Sequence, residues 1–204
     1  MYLFPVVCKR LFDILLALLL LGVLWPLLGG IALAIHLSMG SPVLFRQMRP
    51  GLGGKPFYLY KFRTMQLTKT GQDMVSSDAI RLTTLGKLLR HSSLDELPEL
   101  WNILKGEMSF VGPRPLLMQY LERYNSIQSR RHDVLPGLTG WAQVNGRNAL
   151  SWEKRFELDV WYVDHRSVFL DLKIIAMTVL QVITGKGVSA EGMATMSEFG
   201  KEKL

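Results

Sequence analysis

The longest apolar run lies near the N-terminus. From Ile14 to Ile35 the chain carries no charged residue over 22 positions, which is the length of a membrane-crossing helix. Pro26 lies at the middle of this run, and a proline inside a helix removes a hydrogen bond and clashes with the preceding turn. Each arm beside Pro26 is about 18 Å long, whereas the hydrocarbon core is about 30 Å thick. The pattern favours a re-entrant helix–break–helix over residues 1–40, which enters the membrane and returns.

Two other interpretations of this run are open. A single spanning helix kinked at Pro26 meets the length criterion, because neighbouring groups can bond the freed carbonyl. A cleaved signal peptide would explain the preceding Lys9 and Arg10, although the run is long for one. Three basic residues between 46 and 55 follow the run, so the positive-inside rule favours two cytoplasmic ends. Asp13, at the head of the run, is expected to pair with Lys9 or Arg10 as an anchor.

The pattern after residue 40 predicts a small cytoplasmic domain over 41–185 and a loose polar tail over 186–204. Two strands, 43–47 and 57–63, flank a glycine-rich turn. Loops are predicted at 66–78 and 136–148, and a rigid turn at 112–115. Helices are predicted from apolar periodicity at 80–90, 94–105, 116–131, 152–164 and 170–183. The fold class is therefore α+β and mostly helical, with a short β-hairpin.

Two of these helices carry further signals. Ser93–Glu96 has the form of a capping box at the start of helix 94–105. The last two helices combine apolar stripes with aromatic and basic residues, which fits amphipathic helices at a membrane interface and fits ordinary core packing equally well.

Composition and charge narrow the class of partner. The apolar fraction is 49% and the mean hydropathy is +0.18, both high for 204 residues. The net charge of +7 favours partners that carry phosphate, whether nucleic acid, anionic lipid or a nucleotide-linked substrate. Cys8 is the only cysteine, so the sequence has no disulfide framework and no cysteine-based zinc site. The four histidines are scattered and receive no ligand role.

Candidate chemistry centres on Asp95 and Glu96. Adjacent acids at a helix start usually complement the helix dipole, but here several cations accompany them in the sequence, namely Lys61, Arg63, Arg90, Arg114 and Arg147. Lys61 and Arg63 alternate onto one strand face, where they would either bind an anion or form a solvated surface. A carboxylate whose pKa is kept low by a helix N-terminus can attack phosphorus and form an aspartyl-phosphate. Such an attack needs a divalent cation, and Mg²⁺ suits a site of oxygen ligands.

Five segments carry a resemblance that runs over nearly the whole chain. They are Lys9–Asp13, Tyr60–Met65, Ser93–Pro98, Ser109–Pro115 and Pro136–Asn148. With these segments in this order, the chain resembles the bacterial sugar transferase family, specifically the small monotopic phosphoglycosyl transferases of the PglC type.

The resemblance implies a ping-pong reaction at the cytoplasmic face of the bacterial inner membrane, the first membrane step of glycoconjugate biosynthesis. Asp95 would attack the β-phosphate of a UDP-sugar, release UMP and pass the phosphosugar to polyprenyl phosphate. Glu96 matches the second acid of the family, linked to proton handling and, with Asp95, to Mg²⁺ binding. The positions that match phosphate and nucleotide-sugar binding are Arg90, Arg114, Arg147, Lys61 and Asp159.

The resemblance also implies partners and one departure. The expected partners are the UDP-sugar, polyprenyl phosphate, membrane lipid and the glycosyltransferases of the same pathway, with no nucleic acid. The family breaks its re-entrant helix at a Ser-Pro pair, whereas this chain has Trp25-Pro26, so it has no serine hydroxyl at that position to bind the backbone.

Two rival functions follow from the residues. A membrane-tethered module that binds nucleic acid or anionic lipid explains the charge and the anchor, but it does not explain polar residues gathered in Pro/Gly-defined loops. A membrane-spanning enzyme that transfers or hydrolyses phosphates without a covalent step is the other rival.

Overall fold

The N-terminal apolar run forms one long helix in the computed structural model, which describes residues 3–67, 81–146, 149–184 and 199–200. Helix α1 covers Leu3–Met39 and includes Pro26. The chain stays helical through Pro26, without the non-helical break that was predicted, because a proline disturbs only the hydrogen bonds of one turn. The re-entrant path of the segment stays a prediction. Among the described residues, α1 alone is long and apolar enough to cross a membrane by length and composition; an 18-residue window within its Val7–Met39 portion has a mean hydropathy of 2.5.

The N-terminal half of α1 is fastened to the remainder of the chain by polar side chains. Lys9 Nζ lies 2.5 Å from Asp171 Oδ2, and Arg10 donates to the carbonyls of residues 103 and 104 at 2.6 and 2.8 Å. Asp13 Oδ1 accepts the backbone N–H of Phe110 at 3.2 Å. The predicted pairing of Asp13 with Lys9 or Arg10 is wrong, because each of these cations reaches a partner outside α1. The anchoring role is kept, with different partners.

The C-terminal half of α1 packs on the same domain. Ile31 and Ile35 are buried together with Phe62 and Leu89. Arg63 donates to the carbonyls of residues 39 to 41, at 2.7, 2.5 and 3.2 Å in chain order. An anion-binding role for Arg63 beside Lys61 is therefore wrong, since its guanidinium binds the negative end of the α1 dipole.

The predicted hairpin is present. Strand β1 (Leu44–Pro50) pairs antiparallel with β2 (Pro56–Phe62), in a register that runs from Leu44↔Phe62 to Pro50↔Pro56. A 3₁₀ turn, Leu52–Gly54, joins the strands, and Gly53 and Gly54 have the positive φ values that such a turn requires.

A second, parallel pair of strands was not predicted. Strand β3 (Ser109–Val111) lies beside β4 (Gly137–Thr139). Both strands are only three residues long, too short for a period-two pattern to stand out. They approach closely because glycines face each other: a Cβ on Gly137 would lie 2.1 Å from the nitrogen of Gly112.

We expect Gly137→Ala to destabilise the fold by about 3 kcal/mol or more, because the added methyl would overlap backbone atoms that cannot move aside. The measurement is thermal unfolding of the detergent-purified protein. Gly29→Ala is the matched control, since no atom lies within 4 Å of the Cβ position there and alanine is the better helix former. Equal unfolding midpoints for the two variants would contradict the close approach of Gly137 to Gly112.

The helices after the hairpin agree with the prediction in part. They are α2 (Thr84–His91), α3 (Glu99–Lys105), α4 (Ser126–Ser129), α5 (Trp141–Val144), α6 (Trp152–His165) and α7 (Val168–Thr184). Helices α6 and α7 confirm two predictions. The predicted helix 116–131 is wrong: it consists of 3₁₀ segments Met118–Arg123 and Arg130–His132 with α4 between them, because Tyr124 is extended and Asn125 caps a new helix.

The main core joins the hairpin, the parallel strands and the long helices. Its buried members include Ala17, Phe57, Leu59, Leu100, Ile103, Phe110, Val111, Tyr162 and Ile174. Most of the predicted loop 66–78 and most of the predicted tail lie outside the described residues. Within the tail, Phe199 packs against the rings of Tyr120, Tyr124, Trp152 and Phe156.

Candidate active site

Asp95 lies on a tight turn between α2 and α3. Ser93 adopts a left-handed conformation with φ 57°, and residues Leu94–Glu96 form a 3₁₀ turn. The side chain of Ser93 makes no capping bond, so the predicted capping box is wrong and α3 begins at Glu99, not at residue 94. A non-glycine residue in this region costs about 1 kcal/mol or more, and such strain is concentrated at functional sites.

The Asp95 carboxylate is buried yet receives no hydrogen bond from any described residue. The residue is 8% exposed. Burial and the neighbouring charge of Glu96 raise the pKa of Asp95 to about 6, while Lys61, Arg114 and Arg90 pull it the other way. The expectation of a lowered pKa is therefore wrong, because the 3₁₀ turn supplies too little dipole to offset desolvation. At neutral pH the group is an ionised carboxylate without a bonding partner in the described part of the chain.

Glu96 has the opposite environment. Its Oε1 lies 2.6 Å from Lys61 Nζ and 2.5 Å from Arg114 Nη2, and its Oε2 lies 3.4 Å from Arg114 Nη1. The two cations hold the pKa of Glu96 well below its usual range. The side chain of Glu96 is thus fixed as an anion that positions Lys61 and Arg114 beside Asp95.

Glu99 is a third carboxylate of this site, and the sequence did not predict it. It is 2% exposed, and its Oε1 lies 3.2 Å from Lys61 Nζ. Burial raises the pKa of Glu99. The signal was available in the sequence, since acids three positions apart on a helix share a face, but Glu99 looked like an ordinary polar residue after Pro98.

Arg90 reaches the site from the last turn of α2. Its Nε donates to Thr64 Oγ1 at 3.0 Å. Helix α2 can approach this threonine because it presents Gly86, where a Cβ would lie 1.9 Å from the Thr64 carbonyl oxygen. The close approach brings Arg90 near enough to act on the charge of Asp95.

Asp159 lies behind the site. Its Oδ2 accepts Arg131 Nε and Nη2 at 3.1 and 2.7 Å, in a pair that is almost fully buried. Arg131 in turn donates to the backbone carbonyl of Arg114 at 2.7 Å. Asp159 is therefore paired with a buried arginine, and through that arginine it is linked to the backbone of Arg114 at the site. Direct contact between Asp159 and a substrate stays a prediction.

Two predictions for the site remain, the binding residue Arg147 and the Mg²⁺ ion. Arg147 lies outside the described residues. Within the described residues, no group of three or more His, Cys, Asp or Glu side chains is arranged to hold a metal ion. Mg²⁺ is commonly bound by one or two carboxylates together with substrate phosphates, and Asp95 with Glu96 fits that mode.

The arrangement suits reactions of phosphate esters. A free carboxylate stands among three cations, and a second carboxylate keeps two of those cations in place. Phosphoryl transfer needs positioning and charge neutralisation more than any other contribution. A carboxylate can attack phosphorus only where the negative charges of both partners are offset, and this turn provides that condition.

Comparison with known proteins gives three relevant similarities. A family model described as bacterial sugar transferase matches residues 4–185. An uncharacterized sugar transferase, EpsL, of Bacillus subtilis (strain 168) is 53% identical over 193 residues, which are 95% of this chain and 96% of that protein. A UDP-glucose:undecaprenyl-phosphate glucose-1-phosphate transferase of Xanthomonas campestris pv. campestris is 44% identical over 89% of this chain.

The lengths of these relatives differ. This chain spans 40% of the Xanthomonas protein. A protein of the same name from Caulobacter vibrioides is 40% identical over 86% of this chain, which spans 70% of that protein. The family model covers the whole described site of this chain, whereas some relatives carry a further portion.

Proposed function

Because the chain belongs to the bacterial sugar transferase family, we propose that it transfers a sugar 1-phosphate from a UDP-sugar to undecaprenyl phosphate and releases UMP. The names of the relatives at 40–44% identity support this choice of donor and acceptor. The product, a polyprenyl diphosphate-sugar, would begin a glycoconjugate and serve the glycosyltransferases of the same pathway.

The observation that carries the proposal is the contrast between two adjacent carboxylates. Asp95 is free of hydrogen bonds from described residues, whereas Glu96 is bound by Lys61 and Arg114. We assign Asp95 as the nucleophile, because a carboxylate already held by two cations is a poorer attacking group than a free one. Glu96 is then the residue that positions the cations.

Two displacements follow from this assignment. A carboxylate oxygen of Asp95 attacks the β-phosphorus of the UDP-sugar, the bond from that phosphorus to the bridging oxygen breaks, and UMP leaves with the electron pair. An oxygen of undecaprenyl phosphate then attacks the same phosphorus, and the bond to Asp95 breaks to restore the carboxylate. Each bond formed is matched by one broken, and Arg90, Lys61 and Arg114 offset charge at both steps.

Mg²⁺ would be held by Glu96 and by one oxygen of Asp95, which leaves the other oxygen of Asp95 to attack, and the ion would supply further neutralisation of the donor diphosphate. The same residues explain why a protein cage of three or more carboxylates is unnecessary, since the phosphates complete the ligand set. Arg147 and Asp159 belong to the proposal as binding residues on family resemblance alone.

We further propose the monotopic arrangement, in which α1 enters the membrane from the cytoplasmic side of the inner membrane and returns. Polar contacts at both ends of α1 support it: Lys9 and Arg10 are bound near one end, and the carbonyls after Ile35 are bound by Arg63 at the other. A straight helix of 37 residues would be about 55 Å long, yet both ends contact one small domain. Between them, Val23 and Trp25 are exposed and suit contact with lipid.

The test is transfer of label in a defined membrane. Purified protein in nanodiscs receives a UDP-sugar labelled in the sugar, Mg²⁺ and undecaprenyl phosphate; UDP-glucose is tried first because the relatives are named for it, then other UDP-sugars. We expect label in the lipid fraction and UMP in equal amount. Omitting the acceptor should abolish lipid label. Binding of donor or acceptor with no UMP from any donor would instead favour the tethered binding module.

A further inference from the structure

Arg49 is a cation that the proposed mechanism does not use. It lies near the end of β1, opposite Phe57. Its Nη2 donates to Gln47 Oε1 at 2.6 Å, and its Nη1 makes a long contact of 3.4 Å with the Pro115 carbonyl. Its Nε is buried and has no hydrogen-bond partner among the described residues. The guanidinium therefore has only neutral partners and leaves one buried donor unused.

No carboxylate of the described residues lies within ion-pair distance of Arg49. Burial and the repulsion of Arg114 lower the pKa of Arg49 to about 10, although the charge of Glu99, which forms no ion pair with Arg49, acts in the other direction. The group stays protonated at neutral pH. A half-buried charge with no counter-ion is costly unless something else supplies the negative charge.

Other buried arginines of this chain show how such charges are normally offset. Arg131 is paired with Asp159. Arg63 and the half-buried Arg10 form no ion pair with a described carboxylate, but they bind the carbonyls at the C-terminal ends of α1 and α3, where the helix dipole is negative. The partner carbonyl of Arg49 belongs to Pro115, in a turn between elements. Arg49 thus lacks both of the means by which these arginines are neutralised.

The position of Arg49 indicates which anion would neutralise its charge. Its contact with Pro115 places it next to Arg114, whose side chain reaches Glu96 beside Asp95. An anion held by Arg49 would therefore lie on the Arg114 side of the site, which suits the phosphate that is not attacked. It is also five residues along β1 from Leu44, about 16 Å from the strand end that follows the membrane helix. A water-soluble ligand suits that place better than a lipid phosphate.

We propose that Arg49 binds the phosphate of the leaving UMP, that is, the α-phosphate of the donor. The inference rests on the proposed function. This phosphate gains a negative charge when the bond to the β-phosphorus breaks, and the guanidinium of Arg49 stabilises that charge with the unused Nε–H and an Nη–H. Arg49 is therefore a binding residue for the first displacement and not for the second.

The test compares Arg49→Gln with Arg46→Gln. Arg46 is on the same strand but three residues away, so it points to the other face, where its guanidinium lies 5.4 Å from the ring centroid of Tyr58. Calorimetric titration with UMP alone, in nanodiscs, gives its dissociation constant without any turnover. We expect Arg49→Gln to weaken UMP binding about 10-fold or more and to slow single-turnover labelling, with the KM for undecaprenyl phosphate unchanged. Arg46→Gln should change none of these.

Several outcomes would overturn the inference. Unchanged UMP affinity in Arg49→Gln excludes the site, and a raised KM for undecaprenyl phosphate with unchanged UMP affinity assigns the cation to the acceptor. If Arg49→Gln lowers the unfolding temperature, Arg49→Lys, which keeps the charge but not the fork, should still bind UMP more tightly than Arg49→Gln; equal affinities mean a structural role only. Failure of the wild-type protein to release UMP from any donor would contradict the proposed function. The calorimetric comparison tests the role of Arg49 in UMP binding independently of that result.

Discussion

Asp95→Asn is expected to abolish the covalent phosphosugar and to lower transfer by at least about 1,000-fold, the scale on which loss of a nucleophile is felt. An amide cannot supply the attacking oxygen anion, although its size and shape are nearly those of the carboxylic acid. The measurement uses donor labelled in the sugar, with Mg²⁺ and without acceptor, followed by a denaturing gel. The wild-type protein should retain label that added undecaprenyl phosphate removes. Turnover by Asp95→Asn at the wild-type rate would sink the nucleophile assignment.

The same substitution should make the protein more stable at neutral pH. The pKa of Asp95 is raised to about 6, against about 3.9 in an unfolded chain. Below about pH 4 the group is protonated in both states and costs nothing; as pH rises through about 6, the wild-type protein loses up to about 3 kcal/mol relative to the asparagine variant. Thermal unfolding at pH 4 and pH 7.5 checks the sign. An inactive variant that is also more stable cannot have lost activity by unfolding.

Ionisation of Asp95 should also make the labelling rate fall at acid pH, which gives the pH–rate profile an acid limb. Only the carboxylate can attack, so the rate of labelling should rise with pH through about 6 and then level off. Rapid-quench labelling at a series of pH values measures this limb. A rate independent of pH between about 5 and 7 would contradict the raised pKa.

Glu96→Gln is the second large change, with an expected loss of about 100-fold or more in labelling rate. The neutral amide removes the anion that Lys61 and Arg114 share, so Arg114 loses its carboxylate partner and Lys61 keeps only its contact with Glu99. Removing one partner of this largely buried group should also cost about 2 kcal/mol of stability. Labelling kinetics and thermal unfolding provide the measurements.

A pH profile separates this role from general damage. The charge of Glu96 is one of the causes that raise the pKa of Asp95, so its removal should move the acid limb of the residual activity below pH 6. Glu157→Gln is the matched control, because Glu157 forms an exposed pair with Lys154 on α6 and such pairs contribute little. An acid limb that stays in place in Glu96→Gln would mean that the two carboxylates do not interact as described.

Much of the fold could be predicted because its signals are local. The hairpin follows from two short segments with apolar and aromatic residues around a glycine turn, and α6 and α7 follow from apolar periodicity. The parallel pair β3–β4 could not be predicted, because its strands are three residues long and depend on the facing glycines 112 and 137. The prediction of one helix over 116–131 was wrong for a related reason: the composition of this segment is typical of a helix, but Asn125 caps a separate short helix.

The candidate site shows the same division. Asp95 and Glu96 were selected from the sequence with Lys61, Arg90 and Arg114, and the structure brings these five together. Their charges were not predictable, because the raised pKa of Asp95 depends on burial and the lowered pKa of Glu96 on two cations from distant segments. Glu99 and Arg49 were overlooked because their spacing resembles that of ordinary surface residues.

By itself the sequence determined that an apolar N-terminal segment is joined to a basic domain and that a pair of adjacent acids has arginines before and after it in the chain. These are properties of composition and neighbouring residues, which need no knowledge of the fold. Tertiary structure alone decided that α1 continues through Pro26, that Arg63 binds the end of that helix, and that Asp95 is free while Glu96 is held. Each of these depends on which groups from distant segments share one low-dielectric space, where a charge must find a partner or change its pKa.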